Sequence, residues 1–308
     1  MIKVFGHLAP DTDTTCSAIL WAWYLNTHTS LKATPHVLGK LNKETSFVLQ
    51  RWNLPEPELL ESVSENDEVV IVDTNNPQEL FPNISDTHIL GIIDHHKLTG
   101  GLSTKAPLEM TLKPFATTAT IIYGMMGEHA DTLPDNIKGI ILSCILSDTL
   151  AFRSPTTTSH DKDIAEKLAK KLNVDIVEYS NEMFAAKSDV SDFTDLGLIH
   201  MDSKKYSVGG KNIRVSSIET TNPEAILARK KGLVAAIKSL IAEKDADEVL
   251  LFVVDILKEE ATVLTYNKFT KDMIEISFGV KVDGDTKVLP GILSRKKQII
   301  PVLKLPEN

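Results

Sequence analysis

The chain has 308 residues, a net charge of −9, and a composition that is 42% hydrophobic and 24% charged. That length and balance describe a globular protein able to bury a sizeable core, expected as two domains. The acidic balance excludes a general nucleic-acid or membrane-surface binder and leaves room only for local basic patches. Residues 1–7 lack the apolar segment of a signal peptide, and no apolar run approaches the ~20 residues of a membrane span. The two cysteines, Cys16 and Cys144, lie in apolar helix-like stretches and read as reduced core thiols. The expected compartment is the cytoplasm.

Residues 2–5 read as a short buried strand. The loop after it, Gly6-His7-Leu8-Ala9-Pro10-Asp11-Thr12-Asp13-Thr14, places one His and two Asp within seven residues, a denser set than capping needs. Either Asp13 or Thr14 can cap the helix expected at 15–26. A strand at 37–39 and a helix at 43–52 follow. The run at 68–73 is a strand ending in an acid, Asp73, with a loop and a short helix after Pro77. About twenty residues later comes Leu90-Gly91-Ile92-Ile93-Asp94-His95-His96, an apolar and partly β-branched run closing on an acid and two imidazoles. That spacing suits a parallel crossover, and such a run fits a central strand of a parallel sheet.

Helices are expected at 117–129 and 134–148. The second is apolar almost all round, hence buried, and ends at Asp148. An acid near a helix C-terminus is disfavoured by the dipole, so Asp148 is either solvated or compensated by a positive group, which a metal would provide. Two amphipathic helices, 160–172 and 175–187, lead to the small, polar stretch at 188–193, the candidate linker. Beyond it, strands at 205–208 and 213–218 are joined through Gly209-Gly210, a hairpin signal. A long helix is expected at 223–244 and strands at 248–257 and 261–266. Asp283-Gly284 marks another hairpin turn, and Ser294-Arg295-Lys296-Lys297 sits in a loop or strand near the end. The fold class is therefore α/β, a parallel sheet followed by a smaller mixed α/β domain.

The polar residues at the expected sheet-edge loops are His7, Asp11, Asp13, Asp73, Asp94, His95, His96 and Asp148. Aspartate and neutral imidazole are ligands for manganese, cobalt or zinc. Four ionised carboxylates (Asp11, Asp13, Asp73, Asp148) carry about −4 of charge. Crowded without cations, they repel and some protonate; two divalent ions would neutralise them. A two-metal site activates a bridging water and clamps phosphoryl oxygens for in-line displacement. The basic cluster at Arg295 and Lys296, with Lys204 and Lys205, would supply phosphate recognition. Each basic group taken alone also reads as solvated surface.

In their order along the chain, Gly6-His7-Leu8-Ala9-Pro10-Asp11-Thr12-Asp13, the strand ending at Asp73, Asp94-His95-His96, Ser147-Asp148 and Ser294-Arg295-Lys296-Lys297-Gln298 resemble the motifs of family II inorganic pyrophosphatases, of the DHH phosphoesterase superfamily. The resemblance spans essentially the whole chain. It implies a DHH metal-binding catalytic domain at 1–187, a hinge at 188–194 and a DHHA2-type substrate domain at 195–308, with the active site in the cleft between them. It also implies that His7, Asp11, Asp73 and Asp148 hold one metal and Asp13, Asp73, His95 and Asp148 a second, with Asp73 and Asp148 bridging. Two Mn2+ or Co2+ per subunit are implied, with Mg2+ carried by the substrate. His96 would contact the substrate and donate a proton, Lys204, Arg295 and Lys296 would bind its phosphates, and Asp94 would orient its neighbours.

The implied activity is hydrolysis of inorganic diphosphate to two phosphates by a metal-bridged water or hydroxide. The implied assembly is a homodimer through the N-terminal domain, with no nucleic-acid or membrane partner. Two departures stand out: Ala9 where the family commonly has Asn, and Thr74-Asn75-Asn76 where it commonly has His-Asn-Glu. Alternatives are another DHH phosphodiesterase or exopolyphosphatase, and a non-catalytic metal or nucleotide sensor. The glycine-rich, histidine-containing motif of the phosphodiesterase relatives has no counterpart at Gly209-Gly210-Lys211.

Overall fold

The structure, a computed structural model, describes residues 1–306 and divides the chain into two units, Met1–Lys187 and Ser188–Asn308. In the first unit, β1 (Ile2–Phe5), β2 (Ala33–Val37), β3 (Glu58–Leu59), β4 (Glu68–Val72), β5 (His88–Asp94) and β6 (Glu109–Leu112) form a parallel sheet in the order β3-β2-β1-β4-β5-β6. Alternation along the strands fills both faces, as a doubly covered parallel sheet requires. Val4, Val70, Val72 and Ile93 join one core cluster, while Phe5, Val69, Ile71 and Ile92 join the other. The first core is closed by α1 (Thr12–His28), α3 (Thr118–Met125), α4 (Asp135–Asp148) and α5 (Ser159–Leu172), with α2 (Lys43–Arg51) and α6 (Ile176–Lys187) beside them.

Strand order reverses between β1 and β4, because the chain builds outward from β1 on one side and returns to β4 on the other. Loops leaving the carboxyl ends of β1 and β4 therefore diverge and open a crevice, the place where such sheets bind ligands. Gly6 stands at that point. A Cβ there would lie 2.4 Å from the Val72 carbonyl oxygen and 2.7 Å from Thr14 Cγ2, so only glycine lets the end of β1 approach β4 this closely.

Several elements differ from the sequence reading. α1 begins at Thr12 with Asp11 as its cap, its carboxylate accepting from Thr14 N at 2.9 Å; Asp13 lies inside the first turn. β2 lies earlier than expected and contains Pro35. The proline is tolerated because the two-residue β3 pairs only with His36 and Val37. β5 carries an irregularity opposite Val69/Val70, so Leu90 falls out of register and is 40% exposed rather than buried. The helix expected to run on to 129 ends at Met125, and a 3-10 turn, Gly127–Asp131, continues from Gly127 at φ +54°. β3 and β6, short edge strands, were not anticipated.

In the second unit, β7 (Ser203–Val208), β8 (Lys211–Thr220), β9 (Glu248–Asp255), β10 (Glu260–Leu264) and β11 (Thr286–Pro290) form a mixed sheet ordered β11-β10-β9-β8-β7, parallel only at β8/β9. Leu250, Phe252 and Val254 face a core with α10 (Lys268–Phe278); Val249, Leu251 and Val253 face one with α7 (Asp195–Met201) and α9 (Lys230–Ala242). The long helix expected at 223–244 is broken into α8 (Pro223–Leu227) and α9 at Arg229, whose backbone leaves helical geometry (φ −88°, ψ 8°). Its guanidinium donates to Asp195, Val190 O and Phe193 O. With Ser188 Oγ 2.5 Å from Thr221 Oγ1, these bonds pin the candidate hinge segment to the second unit. Asp283-Gly284 is not a hairpin turn, since α10 lies between the paired strands β10 and β11. Among the described residues no helix is long and apolar enough to cross a membrane.

Because Gly6 has no room for a methyl group, Gly6→Ala is expected to cost about 1–3 kcal/mol. Chemical denaturation would show a lower midpoint at unchanged m-value; a wild-type midpoint would remove the close approach as a constraint.

Candidate metal centre

Three groups of residues in the first unit offer ligand atoms that lie within 4.8 Å of one another: His7, Asp11 and Asp73; Asp13, His95 and Asp148; and Asp73, His95 and His96. All seven of the metal-site and proton-donor residues expected in this domain are thus brought together at the carboxyl edge of the sheet. Asp73 is at the middle. It follows β4 in the left-handed region (φ +62°), and its amide donates to Ile93 O at 2.9 Å. This turn puts a carboxylate that is 1% exposed between two imidazoles, with His7 Nε2 3.4 Å from Oδ2 and His95 Nε2 3.3 Å from Oδ1. Thr14 Oγ1 (2.5 Å) and Thr118 Oγ1 (3.0 Å) donate to the same carboxylate.

Asp13 is held by the start of α3. Thr118 N donates to Oδ2 at 2.6 Å and Ala119 N to Oδ1 at 3.1 Å, and Ser17 Oγ adds a bond at 3.1 Å. Thr118 therefore bridges two prospective ligands, Asp13 through its amide and Asp73 through its hydroxyl. His95 Nδ1 donates to Phe115 O at 3.2 Å, which orients Nε2 toward Asp73. His96 Nδ1 donates to Asp94 Oδ1 at 2.9 Å, leaving Nε2 of this half-exposed ring for a ligand. Asp94 also accepts from Asn75 Nδ2 at 2.6 Å, and Asn75 Oδ1 accepts from Thr99 N. Of the two departures, Thr74 donates from Oγ1 to Glu79, and Ala9 lines a cavity of about 530 Å³ that His7, Asn75, His96 and Thr99 also border.

Electrostatics reflect the crowding. Burial pulls His7 down, but bonds from Asp11 and Asp73 outweigh it and carry the ring up to about 10. His95 likewise is opposed by burial and raised by Asp73 and Asp13 to about 9. Asp73 resists its burial through His7 and His95 and stays well below the usual carboxylate range. Asp13 is pushed up to about 8 by burial and then by the charge of Asp73. Asp148, the last residue of α4, rises well above the ordinary value through burial and the charges of Asp13, Asp11 and Asp73; the ammonium of Lys187 works the other way. The positive neighbour that a C-terminal helix acid calls for is therefore present in the protein itself. His96 is raised by its bond to Asp94.

The donor set fits divalent manganese. Desolvated carboxylates and oriented imidazoles are its ligand types, and protons on His7, His95 and Asp13 take the place of positive charge that cations would bring. None of Thr14, Ser17, Thr118 and Asn75 was assigned from the sequence as a partner of these side chains. Ser17 lay four residues after Asp13, a helical spacing that could have identified it. Thr118 makes contact only through the chain fold.

The three basic residues assigned to the substrate lie in the second unit. Lys204 is exposed on β7 and registers opposite Val215 of β8. The Val215 carbonyl is 3.5 Å from Arg295 NH1, so both cations sit at the same stretch of this sheet. Residues Arg295–Ile299 are a single π-helical turn, not a loop or strand. Gln298 fixes its entry, accepting from Leu293 N and Ser294 N at 2.8 and 2.9 Å and donating to Gly291 O at 2.7 Å. Arg295 NH2 bonds Asp202 Oδ1 at 2.7 Å, while its buried Nε has no hydrogen-bond partner. Lys296 follows and is exposed.

Since His7 and His95 rise to about 10 and 9 and Asp13 to about 8, all three carry protons at pH 7 that a metal must displace. Mn2+ binding to metal-stripped protein is expected to release protons, and its apparent affinity should fall as pH falls from 9 to 6. Calorimetry in buffers of different ionisation enthalpy measures the count; no proton release would contradict these assignments.

Comparison with known proteins covers both units. Residues 1–147 match the family model of the DHH family N-terminal domain, and residues 181–305 match the DHHA2 domain. The manganese-dependent inorganic pyrophosphatase of Bacillus subtilis is 37% identical over 98% of this chain and 97% of its own length. The enzyme of the same name from Methanocaldococcus jannaschii is 34% identical over the full length of both. A probable one from Oceanobacillus iheyensis is 38% identical over 98% of each. A crystal structure from Methanococcus jannaschii, described as a candidate family II inorganic pyrophosphatase, superposes with a TM-score of 0.62 at 34% identity, covering 98% of this chain and 97% of that one. With its two domains matched in order and its whole length aligned to these relatives, the chain belongs to the family II, manganese-dependent inorganic pyrophosphatases of the DHH superfamily.

Proposed function

We propose that this protein hydrolyses inorganic diphosphate to two phosphates. The observation that carries the reading is the assembly of His7, Asp11, Asp13, His95 and Asp148 about the buried carboxylate of Asp73 at the sheet's switch point, in a chain aligned over its whole length with manganese-dependent pyrophosphatases. His7, Asp11, Asp73 and Asp148 would hold one ion and Asp13, His95, Asp73 and Asp148 a second. When bound, such ions supply Lewis acidity that acidifies water and offsets phosphoryl charge.

The chain's own groups do the rest. Asp73 and Asp148 would be shared between the two ions. His96, held by Asp94 through Nδ1 and raised by that bond, keeps a proton on Nε2 to donate to a phosphate oxygen. Lys204, Arg295 and Lys296 bind the phosphates. Arg295 brings a planar guanidinium, held to Asp202 through NH2, whose positive charge can meet a leaving phosphate. Two Mn2+ or Co2+ per subunit, Mg2+ carried with the substrate, a cytoplasmic site of action and a homodimer through the N-terminal domain belong to the same reading.

Metal-stripped protein restored with manganese, cobalt, magnesium or zinc is expected to release phosphate from diphosphate most strongly with manganese or cobalt, and little from a nucleotide diester run in parallel. Preferential cleavage of the diester would move the protein to another DHH branch, and no turnover with any metal would favour a sensor. Arg295→Ala is expected to lower turnover about 10²-fold while leaving manganese content, measured by atomic absorption, as in the wild type. Undiminished activity would remove the basic turn from the mechanism.

A further inference from the structure

Glu44 stands in the first turn of α2, a helix that carries none of the metal-centre residues. Its carboxylate is 1% exposed. Oε2 accepts from Thr12 Oγ1 at 3.2 Å and from Ser147 Oγ at 2.9 Å, and lies 3.1 Å from Lys187 Nζ. Oε1 is buried without a hydrogen-bond partner. The partners' positions are informative. Thr12 lies between Asp11 and Asp13, Ser147 directly precedes Asp148, and Lys187 Nζ is itself 3.5 Å from Ser147 Oγ. One carboxylate thus holds the backbone neighbours of three prospective metal ligands.

Orienting two hydroxyls needs only an acceptor, which a neutral amide supplies at a smaller desolvation cost. A carboxylate with an idle buried oxygen adds negative charge behind the acidic cluster, and Lys187 offsets part of it. We propose that Glu44 and Lys187 are a positioning pair that sets the divalent-cation affinity of the Asp13–His95–Asp148 group: Glu44 holds Thr12 and Ser147 and strengthens the negative field, and Lys187 moderates that field. The proposal rests on reading the cluster as a manganese centre. Neither residue reaches the reacting atoms; both act through Thr12, Ser147 and the field at Asp148.

This assignment makes the two charges act with opposite sign, which a merely structural ion pair would not. Mn2+ binding to the metal-stripped full-length chain, followed by the electron paramagnetic resonance of free Mn2+, tests it. Glu44→Gln is expected to weaken manganese binding on the order of tenfold and Lys187→Met to tighten it severalfold, by Coulombic action in a partly screened site. Lys187→Arg should stay near the wild type, and the double variant should fall between the two single ones.

Single variants that both weaken binding, or that both remain within about twofold of the wild type, would overturn the pair while leaving the manganese reading intact. A wild-type chain that binds no manganese would overturn that reading and the pair with it. Should Glu44→Gln fail to fold, Lys187→Met still decides, because misfolding cannot tighten a metal site.

Discussion

The centre depends on burying one carboxylate, Asp73, between two imidazoles. A charge in that position is costly unless every lone pair is met. His7, His95, Thr14 and Thr118 meet them from β1's loop, β5's end, α1 and α3. The left-handed backbone at Asp73 is a strained choice for a non-glycine residue, though aspartate tolerates it better than most. It turns the side chain back over the end of the sheet, where an extended residue would have continued into the loop. The missing side chain of Gly6 follows from the same demand, since β1 must end close against Val72 for His7 to reach Asp73.

From that centre outward, neighbouring acids take different roles because their surroundings differ. Asp73, flanked by imidazoles, remains ionised. Asp13 and Asp148 are desolvated beside it and pushed upward. Asp94 is lowered, burial notwithstanding, by His96. A protein without metal thus stores protons where cations would sit, the behaviour of a site whose metal uptake is coupled to proton release. The apolar α4 delivers Asp148 into this region against its own helix dipole, and Lys187 at the end of α6 supplies the opposing charge.

Much of this was legible because parallel-sheet proteins write their strands and active loops in a simple pattern. Apolar runs at 2–5, 68–72 and 90–93 end in polar residues, and those residues are the ones that meet. Reading failed where a local signal was overruled by a neighbour. Pro35 sits in β2 because β3 is too short to need its amide. Leu90 is out of register because β5 is irregular against β4. Asp283-Gly284 has hairpin chemistry, yet a helix separates the strands that pair. The long helix at 223–244 breaks where Arg229 is drawn to Asp195, a partner 34 residues away.

The sequence by itself determined the fold class, the order of the strands' polar ends and the identity of the prospective ligands, because these follow from alternation, composition and ordered motifs. Which partners hold those ligands was decided only by tertiary structure. Thr118 amide and hydroxyl reach Asp13 and Asp73 across 105 and 45 residues, and Glu44 reaches Ser147 across 103. Threonine, serine and glutamate at such positions look like ordinary caps and surface groups. Their meaning comes from burial, which makes each donor and each charge count, and burial is a property of the packed chain.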